Sequence, residues 1–219
     1  MKKTLFITAG ILLLLVFVAG ALYFNAEKAD QAGQLIEQNQ AGLVRDYSPQ
    51  LGPTAAKVRS VEFLDPACST CKRFYPFVKD ILTTHPEQTH LTLRYAPFHT
   101  HSDQVVAMLY AADKQGMHWE VLEALLASQD DWVSNHVVQP ERAWAQLAGM
   151  AGMGLDLAKL QSDMASPAIT QQIAQDMADV HKLNISKTPE FLVNGKPMPS
   201  FGFDQLKALI DQELASEYR

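Results

Sequence analysis

Cys68-Ser69-Thr70-Cys71 holds the only two cysteines of a 219-residue chain. Two thiols at this spacing can cycle between dithiol and disulfide, passing through a mixed disulfide with a third sulfur. Two other uses of the pair stand beside that one: half of a zinc site, which needs two further ligands, and an inert bridge. A loop this short constrains the unfolded chain little, so an inert bridge would add little stability, and redox chemistry is the leading reading. At a helix N-terminus a sulfur faces unpaired backbone N–H groups and the positive end of the macrodipole, both of which favour thiolate over thiol. Cys68 is then the expected nucleophile, and Cys71, one turn further in, the expected resolving thiol. Lys72 and Arg73 add positive charge nearby, and the hydroxyls of Ser69 and Thr70 can donate to a thiolate.

The elements around the pair supply that helix terminus. Val58 to Leu64 (VRSVEFL) has the β-branched and aromatic residues of a strand, and Cys71 to Leu82 places Phe74, Phe77, Val78 and Ile81 at helical spacing. His90 to Tyr95 alternates like a second strand. Between His99 and Lys182 no strand-like run occurs, and helices are expected around Asp103–Gln115, Trp119–Ser128, Glu141–Ala151 and Leu155–Met164, with another beginning at Ser166-Pro167. Phe191 to Val193 and Lys196 to Met198 flank Asn194-Gly195, a strong hairpin signal, and Phe203 to Ala215 is an amphipathic helix. The order is β-α-β, a helical block, then β-β-α, so the fold class is α/β. In the middle of the first strand, Glu62 reads either as a buried carboxyl beneath the cysteines, where it can carry the resolving thiol's proton, or as a surface glutamate of an edge strand; the first is the leading reading.

Apolar residues make up 47% of the chain and are concentrated at its start. Leu5 to Phe24 is free of charge, and at 1.5 Å per residue such a run crosses the ~30 Å hydrocarbon core. Lys2 and Lys3 precede it while Glu27 and Asp30 follow, which orients Met1 to the cytoplasm and the body to the outside. A cleaved leader ending near Ala19-Gly20-Ala21 is the alternative, but its apolar region exceeds the usual 7–15 residues or so. The expected organisation is a membrane anchor over residues 1–24, a Gln-rich stalk over 25–57 and a globular domain over 58–217 with its helical block at about 99–182. The net charge of −6 with no basic stripe argues against nucleic acid as a partner.

Val61-Glu62-Phe63-Leu64-Asp65-Pro66-Ala67-Cys68-Ser69-Thr70-Cys71-Lys72-Arg73-Phe74-Tyr75-Pro76 resembles the active-site segment of the thioredoxin fold, in particular the DsbA-like branch of bacterial thiol:disulfide oxidoreductases. Lys187-Thr188-Pro189-Glu190-Phe191-Leu192-Val193-Asn194-Gly195 is similar to that family's cis-proline strand, and Tyr95-Ala96-Pro97-Phe98 followed by Tyr110-Ala111-Ala112 to the entry of its helical insertion. The resemblance implies a thioredoxin fold with an inserted helical subdomain, preceded here by the N-terminal transmembrane helix. It also implies that Pro189 is cis and lies against the sulfurs, and that Thr188 contacts the active site and tunes its potential. Pro76 would shape the active-site helix. The best-known oxidase of the branch carries Pro-His between its cysteines; the neutral Ser69-Thr70 pair implies a less oxidising couple.

The function expected on these grounds is disulfide exchange with cysteines of exported proteins, by a single-pass protein of the bacterial inner membrane. It is anchored through residues 5–24, has its C-terminal domain in the periplasm, and is recharged by a membrane redox partner. No cofactor is expected. Oxidase, reductase and isomerase directions share these residues, and a metal-binding or metallochaperone role for the pair is the rival from another class. His99 and His101 form a His-x-His that reads as loop histidines rather than ligands, and Met108, Met117, Met150, Met153, Met164, Met177 and Met198 read mostly as core rather than a copper site. Trp119, Trp132 and Trp144 read as core or groove-lining residues of the helical block.

Overall fold

A computed structural model describes residues 11–24, 27 and 42–219. Residues 5–10 of the expected membrane span, and nearly all of residues 25–41 of the expected stalk, lie outside the described residues. Residues 11–24 are helical with exposed side chains, and among the described residues no helix is long and apolar enough to cross a membrane. The membrane reading therefore rests on the sequence.

The sheet has five strands in the order β1-β3-β2-β6-β7. They are β1 (Gln50–Leu51), β2 (Val58–Leu64), β3 (Thr89–Tyr95), β6 (Glu190–Val193) and β7 (Lys196–Pro197). The central strand β2 runs parallel to β3, with Glu62 opposite Leu93, and antiparallel to β6, with Glu62 opposite Phe191. The parallel pair needs a crossover, which is α1 (Ser69–Thr84). β6 and β7 form the Asn194-Gly195 hairpin, both turn residues having positive φ. The last helix, α8 (Phe203–Glu217), packs beside α1, Phe203 stacking on Phe74 at 4.1 Å between ring centroids.

Even positions of β2 face α1 and α8, where Val58 joins Phe74, Val78, Phe191, Leu206 and Ile210. Val61 and Phe63 face the other way, against Val180, Leu183 and Ile185. Cover on both faces buries the C-terminal half of β2 without a break, so its sequence does not alternate in polarity.

Between β3 and β6 lie α2 (Ser102–Asp113), α3 (His118–Ala127), α4 (Gln129–Trp132), α5 (Pro140–Leu147), α6 (Leu157–Met164) and α7 (Pro167–Lys182). A 3-10 segment, Ala148–Met153, follows α5. The architecture is a thioredoxin fold with a helical insertion. One correction to the sequence reading is needed: the block also contains a two-stranded hairpin, β4 (Val133–Ser134) with β5 (Val137–Val138). Two-residue strands carry too little periodicity to be seen in sequence; the hairpin is held by its turn and by Thr100, whose carbonyl accepts from the Val138 N–H at 3.0 Å.

Residues 42–57 are part of this body rather than a free stalk. β1 pairs antiparallel with β3, Gln50 opposite Thr92, and Leu43 is buried. Gly52 ends the strand at φ +89, where a Cβ would stand 2.5 Å from the Thr89 carbonyl oxygen. Arg94, on β3, is fully buried at the centre of a charge cluster. Its Nη2 reaches Asp176 Oδ1 at 2.7 Å and Asp179 Oδ2 at 2.8 Å, and its Nη1 donates to the Gly42 carbonyl. Arg45 adds a two-pronged bond to Asp179 at 2.6 and 2.8 Å, and the Tyr47 hydroxyl donates to Asp176 at 3.1 Å. This cluster ties the segment ahead of β1 to α7. Arg94→Met leaves two buried carboxylates against Arg45 alone, so it should lower unfolding stability by roughly 3–5 kcal/mol, read from denaturant midpoints. It should also open residues 42–47 to protease in the folded state.

Candidate active site

β2 ends at Leu64, and a tight turn through Asp65, Pro66 and Ala67 delivers Cys68 to the N-cap of α1. The turn closes through the Cys68 N–H to the Asp65 carbonyl at 3.0 Å. Both cysteines are free thiols and buried, Cys68 at 8% exposure and Cys71 at 0%. Ser69 is exposed and Thr70 half-buried in the first turn.

The Thr188–Pro189 bond is cis, and the Cys68 sulfur lies 3.3 Å from the Thr188 carbonyl oxygen, to which it donates when protonated. The structure thus brings Cys68, Cys71, Thr188 and the buried Pro189 together at one end of the sheet. Glu62 lies two residues from the end of β2 on the face that carries α1. It is fully buried, and neither of its carboxyl oxygens has a hydrogen-bond partner.

The two sulfurs have opposite acidities. Cys68 is lowered to about 5, first by the hydrogen bond from the Cys71 thiol, against the cost of burial, then by the Thr188 hydroxyl and by the backbone N–H groups of Cys71 and Thr70. Those N–H groups face the sulfur from the first turn of α1 without closing a short capping bond. Cys71 is pushed well up, first by burial, then by its bond to Cys68 and by the negative charges of Cys68 and Glu62. Glu62 is raised to about 8 by burial, with a smaller contribution from a charged Cys68. The site therefore holds a thiolate at the helix terminus, with a protonated thiol and a protonated carboxyl behind it.

The flanking cations act elsewhere. Lys72 pairs with Asp130 at 2.8 Å, and Arg73 is exposed. Two residues not singled out in the sequence, Asp65 and Gln129, support the active-site turn together with His99. Asp65, fully buried, accepts from the Ala67, Phe98 and His99 N–H groups at 2.8–2.9 Å, from the Ser102 hydroxyl, and from His99 Nδ1 at 2.6 Å. His99, read as a loop histidine, is thus held beside the site. Gln129, buried at the start of α4, donates to the carbonyls of Pro66 at 2.7 Å and Cys68 at 3.2 Å. The one sequence sign of Asp65 was a carboxylate three residues before Cys68; Gln129 carries no local sign. Among the described residues no three His, Cys, Asp or Glu side chains converge as a metal site. Trp132 is fully buried, with Trp119 and Trp144 packed against the same cluster, and Met153 is exposed at 67% whereas Met108 and Met150 are buried.

A thiolate at the start of α1, a cis-proline loop facing it and a sheet of this order define a thioredoxin-type redox site. The chain belongs to the thioredoxin family, whose model, described as Thioredoxin, matches residues 45–212. Among solved structures it is similar to a thioredoxin-like oxidoreductase from Silicibacter pomeroyi DSS-3, with 30% identity and a TM-score of 0.66 over 80% of this chain and 96% of that one. Disulfide bond formation protein D of Bacillus subtilis (strain 168) is 27% identical over 185 residues, 76% of this chain and 77% of that protein. The Na(+)/H(+) antiporter NhaA of Herminiimonas arsenicoxydans is 26% identical over 196 residues; the match takes in 86% of this chain, which spans only 30% of the antiporter's length.

Two outcomes test these acidities. The alkylation rate of Cys68 by iodoacetamide should rise with pH through a midpoint near 5 and be level by pH 7, whereas an unperturbed thiol has its midpoint at about 8.5. Glu62 keeps in the fold a proton that the unfolded chain releases above about 4.5, so it costs stability increasingly as pH rises from there to about 8. Glu62→Gln should therefore stabilise the oxidised protein by roughly 1–3 kcal/mol at pH 7 and by little at pH 4.5, measured by denaturant unfolding at both values.

Proposed function

We propose that this chain is a protein thiol:disulfide oxidoreductase that exchanges disulfides with cysteines of exported proteins. The observation that carries the reading is the placement of Cys68 at the start of α1 beside the cis Thr188–Pro189 bond, with Cys71 buried behind it. This arrangement lowers Cys68 to about 5 and raises Cys71. In the oxidising direction a substrate thiolate attacks Cys68 of the Cys68–Cys71 disulfide, and Cys71 departs with the bonding electron pair. Glu62, protonated and buried behind the pair, supplies the proton that neutralises Cys71. A second substrate thiolate attacks the mixed disulfide at the substrate sulfur, forming the substrate disulfide and releasing Cys68 as thiolate. The reverse sequence reduces or isomerises a substrate, Cys68 attacking first and Cys71 resolving.

Thr188 and Pro189 supply the docking edge in this reading, their cis bond standing beside Cys68, whose sulfur lies 3.3 Å from the Thr188 carbonyl oxygen. The lowered pKa of Cys68 stabilises the reduced form of the pair, which makes the couple more oxidising than one of unperturbed thiols. The charge-free run from Leu5 to Phe24, with Lys2 and Lys3 before it, supports anchoring in the bacterial inner membrane with the domain in the periplasm. Residues 25–41 then form the spacer from the membrane, and a membrane redox partner recharges the pair. Cys71→Ser should accumulate mixed disulfides with exported cysteine-containing proteins, seen as thiol-sensitive adducts on non-reducing gels. Their absence while Cys68 still alkylates readily would overturn the resolving role of Cys71.

A further inference from the structure

Cys68 is stabilised as an anion at a place where the flanking cations are engaged or turned away. Ser69 and Thr70 are neutral, Lys72 is tied to Asp130, and Arg73 faces solvent. The remaining basic group against the active-site turn is His99, at the entry to the helical insertion. Its Nδ1 lies 2.6 Å from Asp65 Oδ2 and its own N–H is bound to the same oxygen at 2.9 Å. Asp65 is rigid by construction: its carboxylate is fully buried and filled by donors from two loops and from Ser102 at the start of α2. The same residue closes the turn onto the Cys68 N–H. Asp65 thus holds the imidazole through its carboxylate and the turn that carries the sulfur through its backbone carbonyl.

The outer side of His99 is covered by the β4–β5 hairpin, whose His136 ring lies nearly parallel to it, 5.6 Å between centroids and 20° between planes. The groups of charge or titration facing His99 are therefore Asp65 from the turn, Cys68 from the start of α1 and His136 from the hairpin; His101, on its own loop, is exposed.

We infer that Asp65 and His99 form a carboxylate–imidazolium pair outside the Cys-x-x-Cys loop that stabilises the Cys68 thiolate, and so shifts this chain's disulfide couple toward oxidation of its substrates. This rests on the redox reading above and adds the cation that the Ser69-Thr70 dipeptide does not carry. His99 supplies the charge and Asp65 is a positioning residue. When a substrate dithiol reduces the Cys68–Cys71 disulfide, two electrons pass to the sulfurs, one proton ends on Cys71 and the other leaves to solvent. Cys68 is left as a thiolate within the field of the imidazolium, a favourable interaction that the disulfide form lacks.

His99 is raised from its usual value, first by its bond to Asp65, against burial, then by the charges of Asp65 and of Cys68. The direct donors to Cys68 are its nearer stabilisers, and His99 adds a charge at longer range. The raised imidazole is charged below its own folded value and loses its effect as pH rises through it, so the contribution is largest near pH 6 and fades in alkali.

The test is equilibration of the wild-type protein and His99→Gln with glutathione at pH 6 and at pH 9. His99→Gln should move the equilibrium toward the disulfide by about threefold to tenfold at pH 6, and by much less at pH 9; no change beyond twofold at pH 6 would overturn the inference. A wild-type protein that never equilibrates with glutathione would instead refute the redox reading. Should His99→Gln fail to fold, the histidine proton resonances of the wild-type protein decide. The His99 midpoint should be higher in the reduced than in the oxidised protein, and equal midpoints would overturn the pair.

Discussion

Everything at this site follows from burying the end of β2 on both faces. Helices α1 and α8 cover one side and α7 the other, so whatever β2 places there is cut off from water. A carboxyl and a thiol in that position are forced toward their neutral forms, which is the state of Glu62 and Cys71. Negative charge can then settle only where donors converge at the rim, and the first turn of α1 is that place. Cys68 lies three residues and one helical turn from Cys71, yet that step crosses from a desolvated interior to a helix terminus. Opposed acidities in two identical side chains are the consequence, and they decide which sulfur attacks and which waits.

The helical insertion does more than enlarge the domain. Its entry loop gives Phe98, His99 and Ser102 to Asp65, and its α4 gives Gln129 to the carbonyls of Pro66 and Cys68. The Asp65 carboxylate and the carbonyls of Pro66 and Cys68 are thus held by elements distant in sequence, in addition to the turn's own bonds. The sulfur therefore stands on a turn that has few ways to relax. On the neighbouring inner strand, β3, Arg94 does related work for the fold. A guanidinium with no access to water binds two carboxylates of α7 and the backbone of Gly42, locking the insertion and the segment ahead of β1 onto the same strand. The buried charges of Asp65 and Arg94 thus each draw their partners from different elements.

Much of this was legible in the chain because the signals are local. Val58–Leu64 has strand composition throughout, the cysteine pair follows it directly, and Asn194-Gly195 marks its hairpin, so the core of the fold and the residues Cys68, Cys71 and Glu62 could be named in advance, while Thr188 and Pro189 were named through the family resemblance. Arg94 was not legible as buried: in His90–Tyr95 it occupies what looks like the solvent side of an alternating strand, and its partners are more than 80 residues further on. β1 and the β4–β5 hairpin are two residues per strand, too short for any period to register. Asp65, His99 and Gln129 have ordinary neighbours, and no spacing rule connects them.

The sequence by itself determined the chemistry available: one pair of thiols at exchange spacing, a strand to lead into them, a helix to start at them, and a charge-free run at the N-terminus long enough to address a membrane. These depend on residue type and near-neighbour spacing, which the chain carries openly. Only the tertiary structure decided what that chemistry is tuned to. The acidity of a thiol depends on desolvation and on charges a few ångströms away, and here those come from β2, the Thr188 loop and the entry to the helical insertion, which meet only when the sheet is closed and both of its faces are covered.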